Sequence, residues 1–376
     1  MTVAAAIPLH KVNVPDAAQA AVAEILASGY VAAGATVREF EERLGQWLPA
    51  EHVVTVGDYS AGIQLALTLG GVGPGDRVIA TPDACLGTNM PLLNVGATPS
   101  WVDLDPATGN IDPEAIRRAI TPRTKAILYA HWGGSPADID AINAIGREHG
   151  LLVVEDASEA LGAEHAGARV GAHGSDVVVL SFGPVRHLTT GEGAALVFAD
   201  AGRAEEARWR KRYGIHQPSF RRPDGEIDPA SDIPAAGWNT YLNNIGAAIG
   251  LAGLERIDET LRRHRENAES YDRAFAGSDD ILPLEQLPGD VPASWVYTIR
   301  SRRRDALRAE LHGAGIAAST MHLRNDLYSA FGTGPADHLL GVREFAATRL
   351  CIPCGWWVGD DEQERIAAAV LGGPAS

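Results

Sequence analysis

Cysteine is scarce in this chain: Cys85, Cys351 and Cys354 are the only three in 376 residues. So few thiols exclude a scaffold built on disulfides. Cys351 and Cys354 make a single C-x-x-C around Pro353. A zinc centre would want a second such pair or histidines at matching spacing, and neither is present, so no metal is expected. Long apolar runs are also missing, none approaching the roughly 20 residues of a membrane-spanning helix. The start, MTVAAAIPLHKV, has no basic segment ahead of a long apolar one, so no signal peptide is read there. With reduced structural thiols, this reads as a cytoplasmic protein. Positive charge is in deficit, 32 Lys and Arg against 48 Asp and Glu, for a net charge of −16. That balance excludes nucleic acid and anionic membrane as expected partners. Internal repeats and low-complexity segments are absent as well.

What is present is a 45% hydrophobic chain long enough for a large core, organised as one large domain and a smaller one. Apolar residues recur at helical spacing from Pro15 to Ala27, and Ser28-Gly29 is the stop. Val37, Phe40, Leu44 and Leu48 make the stripe of a second helix. HVVTVGDYSAGIQLALTL and RVIATPDACLGTNMPLLNVG each read as strand, loop and helix. SWVDLD and KAILYAHWGG are further strands, and DIDAINAIGREHG is an amphipathic helix with Gly150 as its C-cap.

The centre of the chain is Leu151 to Phe198. LLVV and VVVL are short, β-branched and unbroken, the pattern of strands covered on both faces of a parallel sheet. Ligands of such sheets sit at the carboxyl ends of the strands. Glu155, Asp156, Glu159, Ser181, Arg186 and His187 are therefore expected in or near one pocket. His131, which ends a neighbouring strand, is expected on the same side.

The segments GVGPGDRVIATP, GATPSWVDLDPATGNIDPEAI, ITPRTKAILYAHWGGSPADIDAI, EDASEALGA and SFGPVRHLTTGEGAALV resemble the DegT-type aminotransferases, fold-type I enzymes that use pyridoxal phosphate (PLP). The similarity runs from IPLHKVNV to LCIP and beyond. It implies an α/β fold: a large domain (1–253) with a mostly parallel sheet flanked by helices and carrying the ligand pocket, and a smaller C-terminal α/β domain (254–376). It also implies a homodimer in which the loop from Trp238 to Asn244 reaches the partner's pocket. In the family, positions matching Ser60, Thr88, Asp156, Ser181 and Asn239 hold the cofactor, Asp156 matching the partner of the pyridinium nitrogen. Four positions depart from that pattern. Tyr59 stands where a glycine lets the phosphate loop come close, and Cys85 where an aromatic ring stacks on the cofactor. Glu159 stands where glutamine or histidine is usual, and Arg186 where the imine-forming lysine is found.

An arginine cannot form that imine. Neutralising a guanidinium at pH 7 costs roughly 7 kcal/mol, and its nitrogens stay poor nucleophiles. Three readings follow. One is an enzyme without PLP that performs dehydration, cyclisation or condensation on a small natural-product or sugar-like substrate by acid–base catalysis. A second keeps PLP or its aminated form, PMP, bound non-covalently. The third is a non-catalytic partner protein. Under the first, Arg186 is expected to pair with Asp156. Glu159 is then left facing the substrate as general acid or base with a raised pKa, and His131 is the second proton carrier. Tyr59, Cys85, His187, Tyr241 and His322 are expected to line the substrate pocket.

Overall fold

Seven short apolar segments form the main sheet: β1 (Val53–Val56), β2 (Arg77–Ala80), β3 (Thr98–Trp101), β4 (Thr124–Ala130), β5 (Leu152–Asp156), β6 (Val177–Ser181) and β7 (Ala194–Phe198). The computed structural model describes residues 6–332 and 334–372. The first five residues of the stretch read for a signal peptide lie outside them. Strand order is β1-β7-β6-β5-β4-β2-β3. The pairs from β6 to β3 are parallel, and β7 is antiparallel to both of its neighbours. This is the mixed, mostly parallel α/β architecture expected of fold-type I aminotransferases.

The strands are buried on both faces because alternate residues feed different cores. After the helices α1 (Ala17–Ser28) and α2 (Ala35–Trp47) comes α3 (Tyr59–Leu69), and Leu152 and Val154 of β5 pack beneath it, against Ile63 and Leu67. Val153 packs the other way with Ile142 and Ile145 of the helix Ile139–His149. A third cluster joins Val178, Leu180 and Val197 to Val37, Phe40 and Leu44 of the helix Ala35–Trp47 and to Leu48 just past its end. The predicted stops at Gly29 and Gly150 are left-handed, as chain reversal after a helix requires.

Past the long helix Ile257–Phe275, a three-stranded antiparallel sheet contains β8 (Leu282–Pro283), β9 (Tyr297–Arg300) and β10 (Arg349–Ile352). Its core holds Tyr271, Phe275, Ile299, Leu311, Leu350 and Ile366, and also Ile7. Ile7 N–H donates to Gly315 O, so the N-terminal segment crosses the division drawn at 253/254 and packs with the C-terminal part. Trp132, Trp295, Phe345 and Cys351 fill the seam between the two sheets. No helix among the described residues is long and apolar enough to cross a membrane.

Candidate active site

Period two along β5 decides which carboxylate reaches the pocket. Asp156 shares the face of Val154 and points toward α3, whereas Glu155 shares the face of Val153 and points away. At the start of α3, Asp58 caps the helix by accepting from Ala61 N–H, and the next residue, Tyr59, turns its ring inward. The Tyr59 hydroxyl donates to Asp156 Oδ2 and lies 2.9 Å from Thr88 Oγ1. Thr88 donates to the same Asp156 oxygen at 2.8 Å, while Oδ1 accepts from Ser158 N–H at 3.1 Å. Burial first, and then the Asp156 charge, push the Tyr59 phenol well above its usual pKa. It is a neutral donor at any ordinary pH.

Arg186 lies in the turn after β6, its N–H donating to Gly183 O at 3.2 Å. Its guanidinium stacks on Trp295, 4.3 Å from the ring centre, and Nη1 is 3.4 Å from Glu159 Oε1. That corrects the expectation that Arg186 pairs with Asp156: Tyr59 and Thr88 already occupy that carboxylate. Nη1 is buried and makes no hydrogen bond of good geometry. Glu159 Oε2 accepts from Gly133 N–H at 2.8 Å, and Oε1 is also 3.5 Å from His322 Nε2. Burial alone would raise the Glu159 pKa. The hydrogen bond with His322, the Arg186 charge and Gly133 N–H outweigh burial and hold it below the ordinary value. The raised pKa expected for Glu159 is therefore corrected as well.

His322 is held from behind. Arg349, 2% exposed, forms an ion pair with the fully buried Asp83. It donates to Thr320 O at 3.0 Å and to His322 O at 2.6 Å. Between those two carbonyls Met321 has φ 62°, a left-handed conformation that a non-glycine residue adopts only when its surroundings impose it.

The other expected site residues separate into those at the pocket and those turned away. Cys85 lines it, but burial pushes its thiol pKa up, the opposite of what a reactive cysteine needs. Ser60 donates to Gly87 O at 3.1 Å, and Ser181 Oγ accepts from Gly183 N–H at 3.2 Å. His131 is at the right strand end but has both ring nitrogens engaged. Nδ1 accepts from Ala137 N–H at 2.9 Å, and Nε2 contacts Glu155 at 3.1 Å. The ring lies along the pocket, but both nitrogens are committed to the protein, so neither is free for the proton-carrying role expected of it. His187 faces Ala293 O and the His264 ring and is not among the residues lining the pocket. Asn239 is exposed, and Tyr241 stacks under Arg212 rather than lining the pocket of its own chain. None of the three lysines reaches the pocket. Lys11 lies over Trp356, Lys125 is exposed at the start of β4, and Lys211 binds Glu41 and Thr55 O.

The space left among Tyr59, Asp83, Cys85, Thr88, Asp156, Glu159, Arg186 and His322 is about 20 Å³. That is room for a water molecule and too little for a pyridine ring. With Tyr59 on Asp156, the residues as packed do not fit PLP.

A sequence model of the DegT/DnrJ/EryC1/StrS aminotransferase family matches residues 14–371. The chain belongs to this family. It is 31% identical over 369 residues to the spore coat polysaccharide biosynthesis protein SpsC of Bacillus subtilis (strain 168), covering 93% of this chain and 92% of that protein. Among solved structures it is similar to the sugar aminotransferase CalS13 from Micromonospora echinospora. That match has 38% identity, a TM-score of 0.91, and covers 98% of this chain and 100% of that one. It is also similar to S. venezuelae DesV in complex with a ketimine intermediate, at 32% identity and a TM-score of 0.88, covering 94% and 93% of the two chains. Relatives of this DegT-family chain thus serve sugar amination and polysaccharide biosynthesis.

Several residues that shape the site were not singled out in the sequence: Asp83, Gly87, Trp295 and Arg349. Asp83 follows a strand end, the signal that found Asp156, and was open to the same argument. Arg349 was not, because its partner is 266 residues away and nothing local marks the pair.

Proposed function

We propose that this protein is an enzyme of natural-product or sugar-like small-molecule biosynthesis that works by acid–base catalysis without a Schiff-base cofactor. One observation carries the reading: a guanidinium, not an amine, stands beside Glu159, and all three lysines of the chain lie elsewhere. On the resemblance, Arg186 occupies the place of the family's imine-forming lysine. Glu159 Oε1 is the base, ionised because Arg186 and His322 hold its pKa down. The proton it removes from carbon next to a substrate carbonyl stays on this carboxyl and leaves to solvent; His322 Nε2, 3.5 Å away, is the hydrogen-bond partner that keeps Oε1 ionised beforehand. Arg186 Nη1, buried and without a hydrogen bond of its own, donates to the oxyanion that develops. Asp83 and Arg349 fix the His322 loop, and Trp295 holds the guanidinium flat. Asp156, Thr88, Ser60 and Ser181 are remnants of a cofactor site. The substrate meets the pocket at Cys85 and His322. As in the resemblance, a homodimer brings Asn239 and Tyr241 to the partner's pocket, which fits their position outside the pocket of their own chain.

Solvent exchange tests this without knowledge of the full reaction. Candidate keto-sugar nucleotides and keto natural-product intermediates are incubated in heavy water with protein freed of PLP, and deuterium uptake is read by mass spectrometry. At least one should gain deuterium beside its carbonyl, and Glu159→Gln should slow the uptake about 10²–10⁴-fold. Amino-group transfer that appears only when PLP is added would overturn the proposal.

A further inference from the structure

We propose that Tyr59 is a built-in occupant of the space a coenzyme ring would need, so that this pocket excludes PLP and PMP alike, whether or not a covalent bond is possible. The inference rests on the acid–base reading and goes further, because lacking a lysine bars only the covalent form. Three contacts fix the ring. Its hydroxyl donates to Asp156 Oδ2 and touches Thr88 Oγ1. Thr88 donates to the same carboxylate oxygen at 2.8 Å, and Ser158 N–H takes the other at 3.1 Å. Asp156 therefore already has three of the roughly four donors a carboxylate can accept, and the Tyr59 hydroxyl holds the place a ring N–H would take. Third, the ring lies on Gly87. A Cβ built there would stand 2.9 Å from Tyr59 Cε1 and 3.1 Å from Ser60 Oγ. Only glycine at 87 lets a tyrosine at 59 lie where it does, so the two positions form one device: an aromatic side chain and the bare backbone it covers. What remains is about 20 Å³, lined also by Glu159, Arg186 and His322.

The test measures binding, not turnover. PMP and PLP are each titrated into the full-length protein by equilibrium dialysis. Trp132 and Trp295, close to the pocket, serve as a fluorescence check. Wild type should show no saturable binding of either compound. Tyr59→Ala should bind PMP at least about thirty-fold more tightly than wild type. Tyr59→Phe keeps the ring and should exclude PMP as wild type does. A double-mutant cycle in denaturant separates the device from generic loosening. Gly87→Ala should lower the unfolding midpoint of wild type clearly, and that of Tyr59→Ala far less, because the atom it strikes is gone. The cycle does not depend on binding, so it decides the matter even if Tyr59→Ala is too weakened for dialysis. Additive effects of the two substitutions would overturn the inference, as would a folded Tyr59→Ala that binds PMP no better than wild type. Either result leaves the acid–base reading standing. Tight PMP binding by wild type would overturn both.

Discussion

Replacing Asp83 by asparagine isolates the device that holds His322. Asp83 and Arg349 are 0% and 2% exposed in their side chains, and Asp83 Oδ1 has no partner of its own. Burial keeps the Asp83 carboxyl above its usual pKa range even though Arg349 pulls it down, so forming the pair gains little. Breaking it is another matter, since the substitution leaves a guanidinium buried without counter-charge, typically at about 3–5 kcal/mol. Arg349 would still donate to Thr320 O and His322 O and lie over Trp132 and Phe345, at 4.8 and 5.2 Å. Those contacts put the expectation at the low end, about 3 kcal/mol. Urea unfolding followed by tryptophan fluorescence should show the midpoint falling at unchanged slope. Arg349→Met should also destabilise, with the double variant losing less than the sum of the two singles by at least about 1 kcal/mol. A shift under about 1 kcal/mol for Asp83→Asn, or additive losses, would refute the assignment of this pair as the support of the site.

Stability should also depend on pH through His264, whose pKa burial lowers from 6.5 to about 4. The unfolded chain then takes up a proton before the folded one does. The contribution is complete above pH 6.5 and is lost as pH falls toward 4, by about 3 kcal/mol. Denaturation at a series of pH values should show this slope, and His264→Gln should remove its share; an unchanged slope in that variant speaks against it. Assembly is open to light scattering, which should return a particle of twice the 39.7 kDa chain, while a stable monomer at micromolar concentration contradicts a pocket shared across a dimer.

Much of the fold was legible because it is carried by local pattern. The unbroken LLVV and VVVL gave buried strands, and the stripe from Val37 to Leu48 gave a helix packed on them. Strand ends told where a pocket lies, which brought Asp156, Glu159 and Arg186 to one place. What they could not tell is who pairs with whom. Arg186 goes to Glu159 because Tyr59, from a different strand–helix turn, reaches Asp156 first. His131 was read as a free base because only tertiary structure reveals Ala137 N–H and Glu155 at its two nitrogens. Glu155 was separable from Asp156 by strand periodicity alone. The Asp83–Arg349 pair was out of reach, since it joins the two sheets across the seam.

The central claim, that no lysine of this chain forms an imine with PLP, has a direct measurement. The purified protein is incubated with excess PLP, treated with borohydride, digested, and its peptides searched for a reduced pyridoxyl group by mass spectrometry. The account predicts no modified pocket peptide, and no more pyridoxylation at Lys11, Lys125 and Lys211 than the unfolded chain takes up. A stoichiometric adduct on any one of these lysines, formed only by the folded protein, would contradict it.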